Sequence, residues 1–429
     1  MNLRNKLSDR EKKGRPILLG LVGCGQMGTD IINQTLLMDG IKVAVAADTD
    51  VENAKEAYEM SGFSSKKISR EGSAGKIQLA LEKGKRVITE NSNLLPQVNC
   101  LDVIIDATGV PEVGAELGLE SINNGKHIVM MNVEADVCVG PILKNLADSA
   151  GVVYTGAAGD EPAAIMELYD FACSLGYEIV AAGKGKNNPL RPSATPDDLK
   201  DEAEERGMSA KMLTSFVEGS KTMVEMAAVS NATGLEIDVR GMHGPEANLD
   251  ELVDIFSAGE KGGILNNTGV VDYSLGNVAP GVFVIVTMDN ERVKFCLDYS
   301  KMGSGPNYLL YRPYHLVSLE TPLTAARAVM MEEADIAPEA GLVTEVITEA
   351  KKDLKPGDKI DGMGGYTVRG SVAKADRARK ENLLPLGLCS GAIVRKEINQ
   401  GQIITTDMVE VDKDSIIYQL RALQEKLLD

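Results

Sequence analysis

The chain has 429 residues, of which 44% are hydrophobic and 25% are charged, a composition typical of a globular protein. Its formal net charge of −18 would repel the phosphates of DNA and RNA, so we expect no nucleic-acid partner. The charged first residues lack the apolar core of a signal peptide, and no apolar run approaches the ~18 residues of a membrane helix. We therefore expect a cytoplasmic protein without a membrane segment.

Short apolar runs alternate with helix-like stretches from Arg15 to position 158. The apolar runs predict buried strands at 16–22, 42–47, 103–107, 128–132 and 152–154. The stretches between them predict helices at 27–39, 52–61, 113–123 and 140–149. Continuous apolar strands interleaved with helices are typical of a parallel, doubly wound sheet. The fold class predicted for residues 15–158 is therefore an α/β Rossmann domain.

The pattern changes after position 158 and predicts an α+β catalytic or oligomerisation domain over residues 159–339. Its predicted helices are 161–175, 199–205 and 210–229, and its predicted strands are 177–183, 281–288 and 293–298. A further helix at 322–333 could return to pack on the Rossmann domain.

Short segments punctuated by glycine and proline predict a small β-rich domain over residues 340–412. It lacks paired acid–base residues, so we expect a separate module that does no chemistry. Residues 413–429 predict one amphipathic helix, because the apolar positions 416, 417, 420, 423, 427 and 428 fall on one face.

The first predicted strand and helix are joined by a G-x-G-x-x-G sequence. Gly23 would allow the tight turn, Gly25 would let the backbone approach a pyrophosphate, and Gly28 would let the helix pack on the strand. Gln26 and Met27 open the helix, whose N-terminus favours an anion. This context predicts a site for a nicotinamide dinucleotide.

Asp48 ends the second predicted strand, 20 residues after Gly28 (48 − 28 = 20). A carboxylate there would accept hydrogen bonds from the adenine ribose and repel a 2′-phosphate, which favours NAD over NADP. The alternative is an aspartate that caps the next helix. Two later strand ends should line the nicotinamide, unless they are ordinary polar turns. The residues at these ends are Ala107, Thr108, Gly109, Asn132 and Glu134.

Candidate catalytic residues follow the strand predicted at 177–183. Lys184 and Lys186 could hold an anionic substrate or a developing alkoxide, although exposed loop lysines are common. On the helix predicted at 210–229, Glu218, Lys221 and Glu225 fall within an arc of about 60° on an otherwise apolar surface. That stripe would face a cleft or a partner, unless it is a solvent-facing ion pair.

A cluster of rings and charge occurs at 311–315. Arg312 could clamp a carboxylate or a phosphate, and His315 could move a proton. The alternative is a turn that packs between domains. Some carboxylates could ligate a divalent metal, but their spacing along the chain matches no metal-binding motif: Asp160, Glu161, Glu225 and Glu236. A metal is therefore compatible with the sequence but not supported by it.

The Gly23–Gly28 motif, the run 125–136 and the cluster 311–315 resemble the homoserine-dehydrogenase-like oxidoreductases. The resemblance extends over residues 15–412 and is greatest to the subgroup that carries a C-terminal SAF domain, which residues 394–407 resemble. This subgroup includes the 1-deoxy-D-xylulose 5-phosphate reductoisomerase-like enzymes. The resemblance implies a reductase that can couple rearrangement of a carbon skeleton to hydride transfer. Such reductoisomerases generally use NADPH and a divalent metal, whereas Asp48 favours NAD.

Together these features predict an NAD(P)-dependent oxidoreductase of a small anionic hydroxy or keto compound, acting as a homo-oligomer. A sugar-phosphate reductoisomerase is one form of this prediction. The alternatives are a semialdehyde or alcohol dehydrogenase and a non-catalytic NAD-sensing protein.

Overall fold

The computed structural model describes residues 2–428. The helices, numbered along the chain, are α1 (Leu3–Lys12), α2 (Gln26–Thr35), α3 (Val51–Met60), α4 (Ala74–Glu82), α5 (Pro111–Asn123), α6 (Val133–Ala150), α7 (Glu161–Ser174), α8 (Lys200–Glu205), α9 (Ala210–Val217), α10 (Ser220–Thr233), α11 (Leu252–Ile255), α12 (Glu291–Tyr299), α13 (Val317–Met331), α14 (Ala375–Lys380) and α15 (Ile416–Leu427). Among residues 2–428, no helix is both long enough and apolar enough for a bilayer crossing.

The strands, numbered in the same way, are β1 (Ile17–Val22), β2 (Ile41–Ala47), β3 (Ile68–Arg70), β4 (Arg86–Thr89), β5 (Val103–Asp106), β6 (His127–Met130), β7 (Tyr154–Gly156), β8 (Glu178–Gly185), β9 (Glu236–Ile237), β10 (Val270–Ser274), β11 (Val282–Thr287), β12 (Asn307–Arg312), β13 (Thr344–Ala350), β14 (Val368–Lys374), β15 (Ile393–Val394) and β16 (Val409–Glu410). The chain divides into two compact units. The first contains the chain up to Asp160, Leu316–Ala337 and the chain from Ser415, and the second contains Glu161–His315 and Pro338–Asp414.

The first unit is built on a seven-stranded sheet in the order β3-β4-β2-β1-β5-β6-β7. Every neighbouring pair is parallel. The chain moves from β1 toward β2 on one side and toward β5 on the other, which creates the crevice where open α/β sheets bind their ligands. The predicted Rossmann fold is confirmed.

The helix α15 completes the first unit by packing on α5 and α6. Pro141 lies inside α6 and has no N–H to donate. At this point the carboxamide of Gln424 accepts from the N–H of Ile142 at 3.1 Å and donates to the carbonyl of Cys138 at 3.4 Å. These two backbone groups are four residues apart, so Gln424 bridges one rung of the α6 hydrogen-bond ladder.

The second unit contains a five-stranded mixed sheet in the order β12-β11-β8-β10-β9. The central strand β8 is parallel to β10 and antiparallel to β11. The helix α7 packs on β8 and β11, and α10 packs on β10. A separate apolar cluster includes Phe256, Phe283 and Ile285. This sheet positions Lys184, near the end of β8, and Lys186, which follows the strand.

Residues 338–414 lie in the second unit, together with residues 161–315. They contain the antiparallel pairs β13–β14 and β15–β16. The helix α10 packs on β13 and β14. The predicted β-rich character is therefore found, while its identity as an SAF-like domain and the predicted three-domain division stay predictions.

The strand predicted at 293–298 is wrong, because these residues belong to helix α12. The side chain of Asn290 caps this helix by accepting from the N–H groups of Arg292 and Val293, both at 3.1 Å. Short apolar runs do not distinguish strand from helix by periodicity alone, so a local cap can decide the outcome.

The single helix predicted over 210–229 is also wrong. Helix α9 ends at Val217, and Gly219 adopts a left-handed conformation with φ of +96° before α10 begins at Ser220. A left-handed residue of this kind interrupts a helix. Glu218 consequently lies outside the helix that carries Lys221 and Glu225, so the predicted three-residue stripe does not exist.

Candidate active site

The loop after β1 requires two of its three glycines. Gly23 has φ of +93°, and a Cβ there would lie 2.7 Å from the carbonyl oxygen of Ala107. A Cβ on Gly28 would lie 2.0 Å from the carbonyl oxygen of Gly23, so only glycine permits this approach of α2. Both contacts explain the motif as a means of bringing the start of α2 close to the sheet.

The start of α2 is accessible to an anion. Gly25, Gln26 and Met27 are exposed. Gly25 is the N-cap residue and places no side chain over the first-turn N–H groups. Exposed N–H groups at a helix N-terminus bind phosphates. The loop therefore fits the pyrophosphate of a nicotinamide dinucleotide.

Asp48 follows β2 and shapes the glycine loop. Its Oδ2 accepts from the N–H of Cys24 at 2.8 Å. Its Oδ1 accepts from the N–H of Asp50 at 3.0 Å and from Asn53 Nδ2 at 3.2 Å. A carboxylate offers about four acceptor positions, so about one is left for a ribose hydroxyl. The N-cap of α3 is Asp50, which argues against the alternative of Asp48 as a helix cap.

The ends of β5 and β6 are joined by a buried carboxylate. Asp106 accepts from the N–H and the hydroxyl of Thr108 at 2.9 and 2.7 Å, and from Asn132 Nδ2 at 3.0 Å. Burial raises the pKa of Asp106, against these hydrogen bonds. The network brings the predicted residues Thr108 and Asn132 together.

The amide of Asn132 is used within the protein. Besides Asp106, its Nδ2 contacts the carbonyl of Val110 at 2.8 Å, and its Oδ1 accepts from the N–H of Ala135 at 3.2 Å. Asn132 therefore supports the loop rather than offering an unengaged amide to a ligand. Glu134 is buried in the first turn of α6. Ala107 and Gly109 are half-buried beside Thr108.

In the second unit, Lys184 on β8 is buried between two carboxylates. Its Nζ donates to Glu161 Oε1 at 2.6 Å and also to Glu225 Oε2. Burial disfavours a charged lysine, yet these two carboxylates raise the pKa of Lys184 above its ordinary value. Burial and the charge of Glu161 raise the pKa of Glu225. Lys184 is thus held as an ammonium ion.

Lys186 lies two residues further along and has a different environment. It is 5% exposed, and its Nζ donates to the carbonyl of Asn188 at 2.6 Å. Burial and the positive charge of Lys184 lower the pKa of Lys186 to about 8. The strand end therefore presents one permanently charged lysine and one that titrates near neutral pH.

His315 joins the Lys184 cluster through Glu161, since its Nε2 lies 3.5 Å from Glu161 Oε1. Sequence reasoning named Glu161 only as a loose carboxylate. Lys184 and Glu161 are 23 residues apart in the chain, and no spacing rule connects such a pair. The fold alone brings it to the lysine.

Arg312 lies in register with Lys184 across the sheet, because Val282 pairs with both. Side chains of such partners point to the same face, and two strand spacings amount to about 10 Å. Arg312 Nη1 contacts Glu167 Oε2 at 2.8 Å. Its guanidinium carbon lies 4.9 Å from the centre of the Tyr314 ring. Arg312 is therefore already engaged on this face.

Two family models match the chain. The homoserine dehydrogenase NAD-binding domain matches residues 23–154. The catalytic domain of oxidoreductase DRL matches residues 159–321. The comparison with curated proteins finds no match.

The solved structures to which the chain is similar are remote in sequence. A probable dehydrogenase from Thermotoga maritima is 13% identical, with 76% of this chain and 92% of that chain covered and a TM-score of 0.44. Biliverdin reductase from Synechocystis sp. PCC 6803 is 14% identical, with 47% and 57% covered and a TM-score of 0.28. A dehydrogenase from Chromobacterium violaceum is 18% identical, with 47% and 53% covered and a TM-score of 0.29. Likeness at this level carries no information on substrate.

The two family matches confirm the prediction of an enzyme over that of a non-catalytic NAD sensor. They also confirm a nicotinamide cofactor and, with it, a small-molecule substrate. The two matches support a homoserine-dehydrogenase-like oxidoreductase of the DRL type, and the chain is an NAD(P)-dependent oxidoreductase.

Proposed function

We propose that this enzyme transfers a hydride between NAD(H) and a small anionic hydroxy or keto compound, with the chemistry at the end of β8. The observation that carries the proposal is the contrast between two neighbouring buried lysines. Lys184 is held charged by Glu161 and Glu225, whereas the pKa of Lys186 is lowered to about 8. Reduction of a carbonyl needs both a fixed positive charge and a transferable proton.

Lys184 supplies the fixed charge. The bound nicotinamide supplies or accepts the hydride. When a carbonyl carbon gains a hydride, negative charge develops on its oxygen, and a cation nearby stabilises that charge. An ammonium group has three N–H donors, of which Glu161 and Glu225 use two. The third can donate to the substrate oxygen.

Lys186 supplies the proton. A general acid or base works best when its pKa lies near the working pH, and the pKa of about 8 fulfils this condition. Lys186 gives its proton to the substrate oxygen during reduction and takes it back during oxidation. His315, beside Glu161, is a second group able to carry a proton at this face.

The charge of the surrounding residues favours an anionic substrate. Lys184 lies on β8 and Lys186 follows that strand, Lys221 lies on α10 one turn before Glu225, and Arg312 lies on the same face of the sheet as Lys184. The carboxylates of Glu161 and Glu225, which could ligate a divalent ion, both bind the Lys184 ammonium instead. We therefore propose a lysine-based site and derive no step through a metal.

The cofactor choice rests on Asp48. Its carboxylate at the end of β2 accepts from Cys24 and would repel a 2′-phosphate placed nearby, which favours NAD. The sequence resemblance to the reductoisomerase-like subgroup favours a reductoisomerase of a sugar phosphate, and the match to the homoserine dehydrogenase NAD-binding domain keeps a semialdehyde dehydrogenase as the second candidate. A homo-oligomeric state stays a prediction.

The test is oxidation of NADH and NADPH by the full-length protein against phosphorylated and carboxylated ketones and aldehydes. We expect turnover with an anionic compound and a preference for NADH. Product analysis by NMR then separates the two activities, since a reductoisomerase releases a rearranged skeleton. Turnover restricted to uncharged carbonyl compounds would contradict the proposed substrate class.

A further inference from the structure

Besides the two ion pairs of Lys184, the second unit contains a buried ion pair that joins residues 338–414 to the start of α10. Lys351, the residue after β13, donates from its Nζ to Glu218 Oε2 at 2.6 Å. The two side chains are 1% and 0% exposed. The same Nζ donates to the carbonyl of Gly365 at 2.6 Å. A charge pair this deeply buried is retained only where its hydrogen bonds are well satisfied.

The other oxygen of Glu218 organises the turn that starts α10. Glu218 Oε1 accepts from the hydroxyl of Ser220 at 2.6 Å and from the N–H of Gly364 at 2.9 Å. The Ser220 hydroxyl oxygen in turn accepts from the N–H of Gly370 at 2.7 Å. Gly219, between Glu218 and Ser220 in the chain, is left-handed with φ of +96°. Three segments of the chain therefore meet at the first turn of this helix.

Helix α10 carries two groups of the proposed chemistry. Lys221 is its second residue, and Glu225, one turn later, contacts Lys184. A displacement of the first turn would move Glu225 relative to Lys184 and change how strongly the ammonium is held.

We propose that Lys351 is a positioning residue for the Lys184 site, acting through Glu218 and the first turn of α10. The inference rests on the proposed function of Lys184 and Glu225. It gives residues 338–414 a part in the enzyme's chemistry, whereas the sequence predicts an independent module without one.

Four full-length variants test the proposal. Lys351→Met leaves the buried Glu218 carboxylate without its cation. The double variant Lys351→Met with Glu218→Gln removes both charges while keeping an acceptor for the Ser220 hydroxyl. Lys351→Gln is a milder variant that keeps a donor. The control is Lys374→Met, because the ion pair of Lys374 with Glu236 also joins residues 338–414 to another part of the second unit, strand β9, but its side chains are 40% and 56% exposed.

The probe is acetic anhydride, with the extent of acetylation of each lysine measured by peptide mass spectrometry between pH 6 and pH 10, well below each melting temperature. In Lys351→Met, Lys184 should become about tenfold more reactive, since a fall of one pKa unit raises the unprotonated fraction tenfold. The double variant should return to within about threefold of the wild type, because removing both partners of a buried pair is often nearly neutral. In Lys374→Met, Lys184 should be acetylated to the same extent as in the wild type.

The proposal is overturned if folded Lys351→Met melts at a lower temperature but labels Lys184 as the wild type does. If Lys351→Met does not fold, Lys351→Gln decides by the same criterion. With a substrate in hand, Lys351→Met should lower kcat and leave the dissociation constant for NADH, measured by fluorescence, unchanged. Absence of wild-type turnover with every compound would count against the proposed function, while the labelling would still decide the role of Lys351.

Discussion

Replacing Lys186 by Met should raise the stability of the protein while it abolishes most of the activity. The amine is 5% exposed, and burial and the charge of Lys184 lower its pKa from 10.5 to about 8. A folded-state pKa below the unfolded value means that the folded protein holds the proton less readily. The charged amine therefore destabilises the fold below pH 8, and this penalty disappears as the pH rises from 8 to 10.5.

The size of the effect follows from the two pKa values. A difference of about 2.5 units corresponds to about 3 kcal/mol, since one unit is about 1.4 kcal/mol. Loss of the hydrogen bond to the Asn188 carbonyl offsets about 1 kcal/mol of that gain. We expect Lys186→Met to be more stable by about 2 kcal/mol at pH 7 and to show a smaller gain at pH 10.

The activity should change in the opposite direction. Loss of the proton donor should reduce turnover roughly a hundredfold or more, with the affinity for the dinucleotide unchanged. In the wild type, the rate of carbonyl reduction should fall as the pH rises through about 8, because Lys186 loses its proton. The rate of the reverse oxidation should rise over the same interval.

Lys184→Met is the matched control because it removes a neighbouring lysine whose pKa is raised by carboxylates, whereas the pKa of Lys186 is lowered. It leaves Glu161 and Glu225 buried without their cation, at a cost of about 3–5 kcal/mol. Calorimetric melting of both variants at pH 7, beside steady-state kinetics, measures the contrast. A Lys186→Met protein that melts below the wild type, or that keeps the pH dependence near 8, would refute the assignment.

Three further outcomes follow from the geometry. Asp48→Asn removes the charge but keeps an acceptor for the Cys24 N–H, so it should improve NADP(H) binding relative to NAD(H), whereas Asp48→Ala should weaken the binding of both cofactors. Calorimetric titrations that show an unchanged cofactor preference would place Asp48 outside cofactor selection. In the second unit, His243 Nδ1 lies 2.8 Å from Asp272 Oδ2, and this hydrogen bond raises the pKa of His243. Its contribution to stability is full below pH 6.5 and is lost at higher pH, so the melting-temperature deficit of His243→Gln should shrink between pH 6 and pH 9. Gln424→Leu should lower the free energy of unfolding by about 1–3 kcal/mol, because a buried N–H in α6 loses its acceptor, and an unchanged melting temperature would contradict this role.

The sequence was sufficient for the Rossmann fold class because its signals are local, although it did not predict β3 and β4 of the seven-stranded sheet. The glycine motif, the apolar strands and the position of Asp48 all lie within short stretches with a known spacing. Residues 293–298 show where local signals fail. Their apolar pattern predicts a strand, but Asn290, a few residues earlier, caps a helix that includes them. Gly219 similarly interrupts a sequence whose apolar content favours one long helix.

The candidate site could be predicted only in part because its contacts are not local. Lys184 was identified from its place at a strand end, but Glu161 and Glu225 reach it from two different helices. Lys351 gave no signal, since its partner Glu218 is 133 residues away. Periodicity describes which face a residue occupies and contains no information on what packs against that face.

The Gln424 bridge in α6 also affects the order in which the protein can be assembled during synthesis. Gln424 follows Ile142 by 282 residues, and at about 5–20 residues per second the ribosome needs roughly 15 to 55 s to cover that distance. Until then the nascent Rossmann domain lacks the Gln424 acceptor for the Ile142 N–H and the cover of α15 on α5 and α6. Residues 161–315 emerge during this interval, so a chaperone that binds nascent chains would find its target on the first domain made rather than on the last.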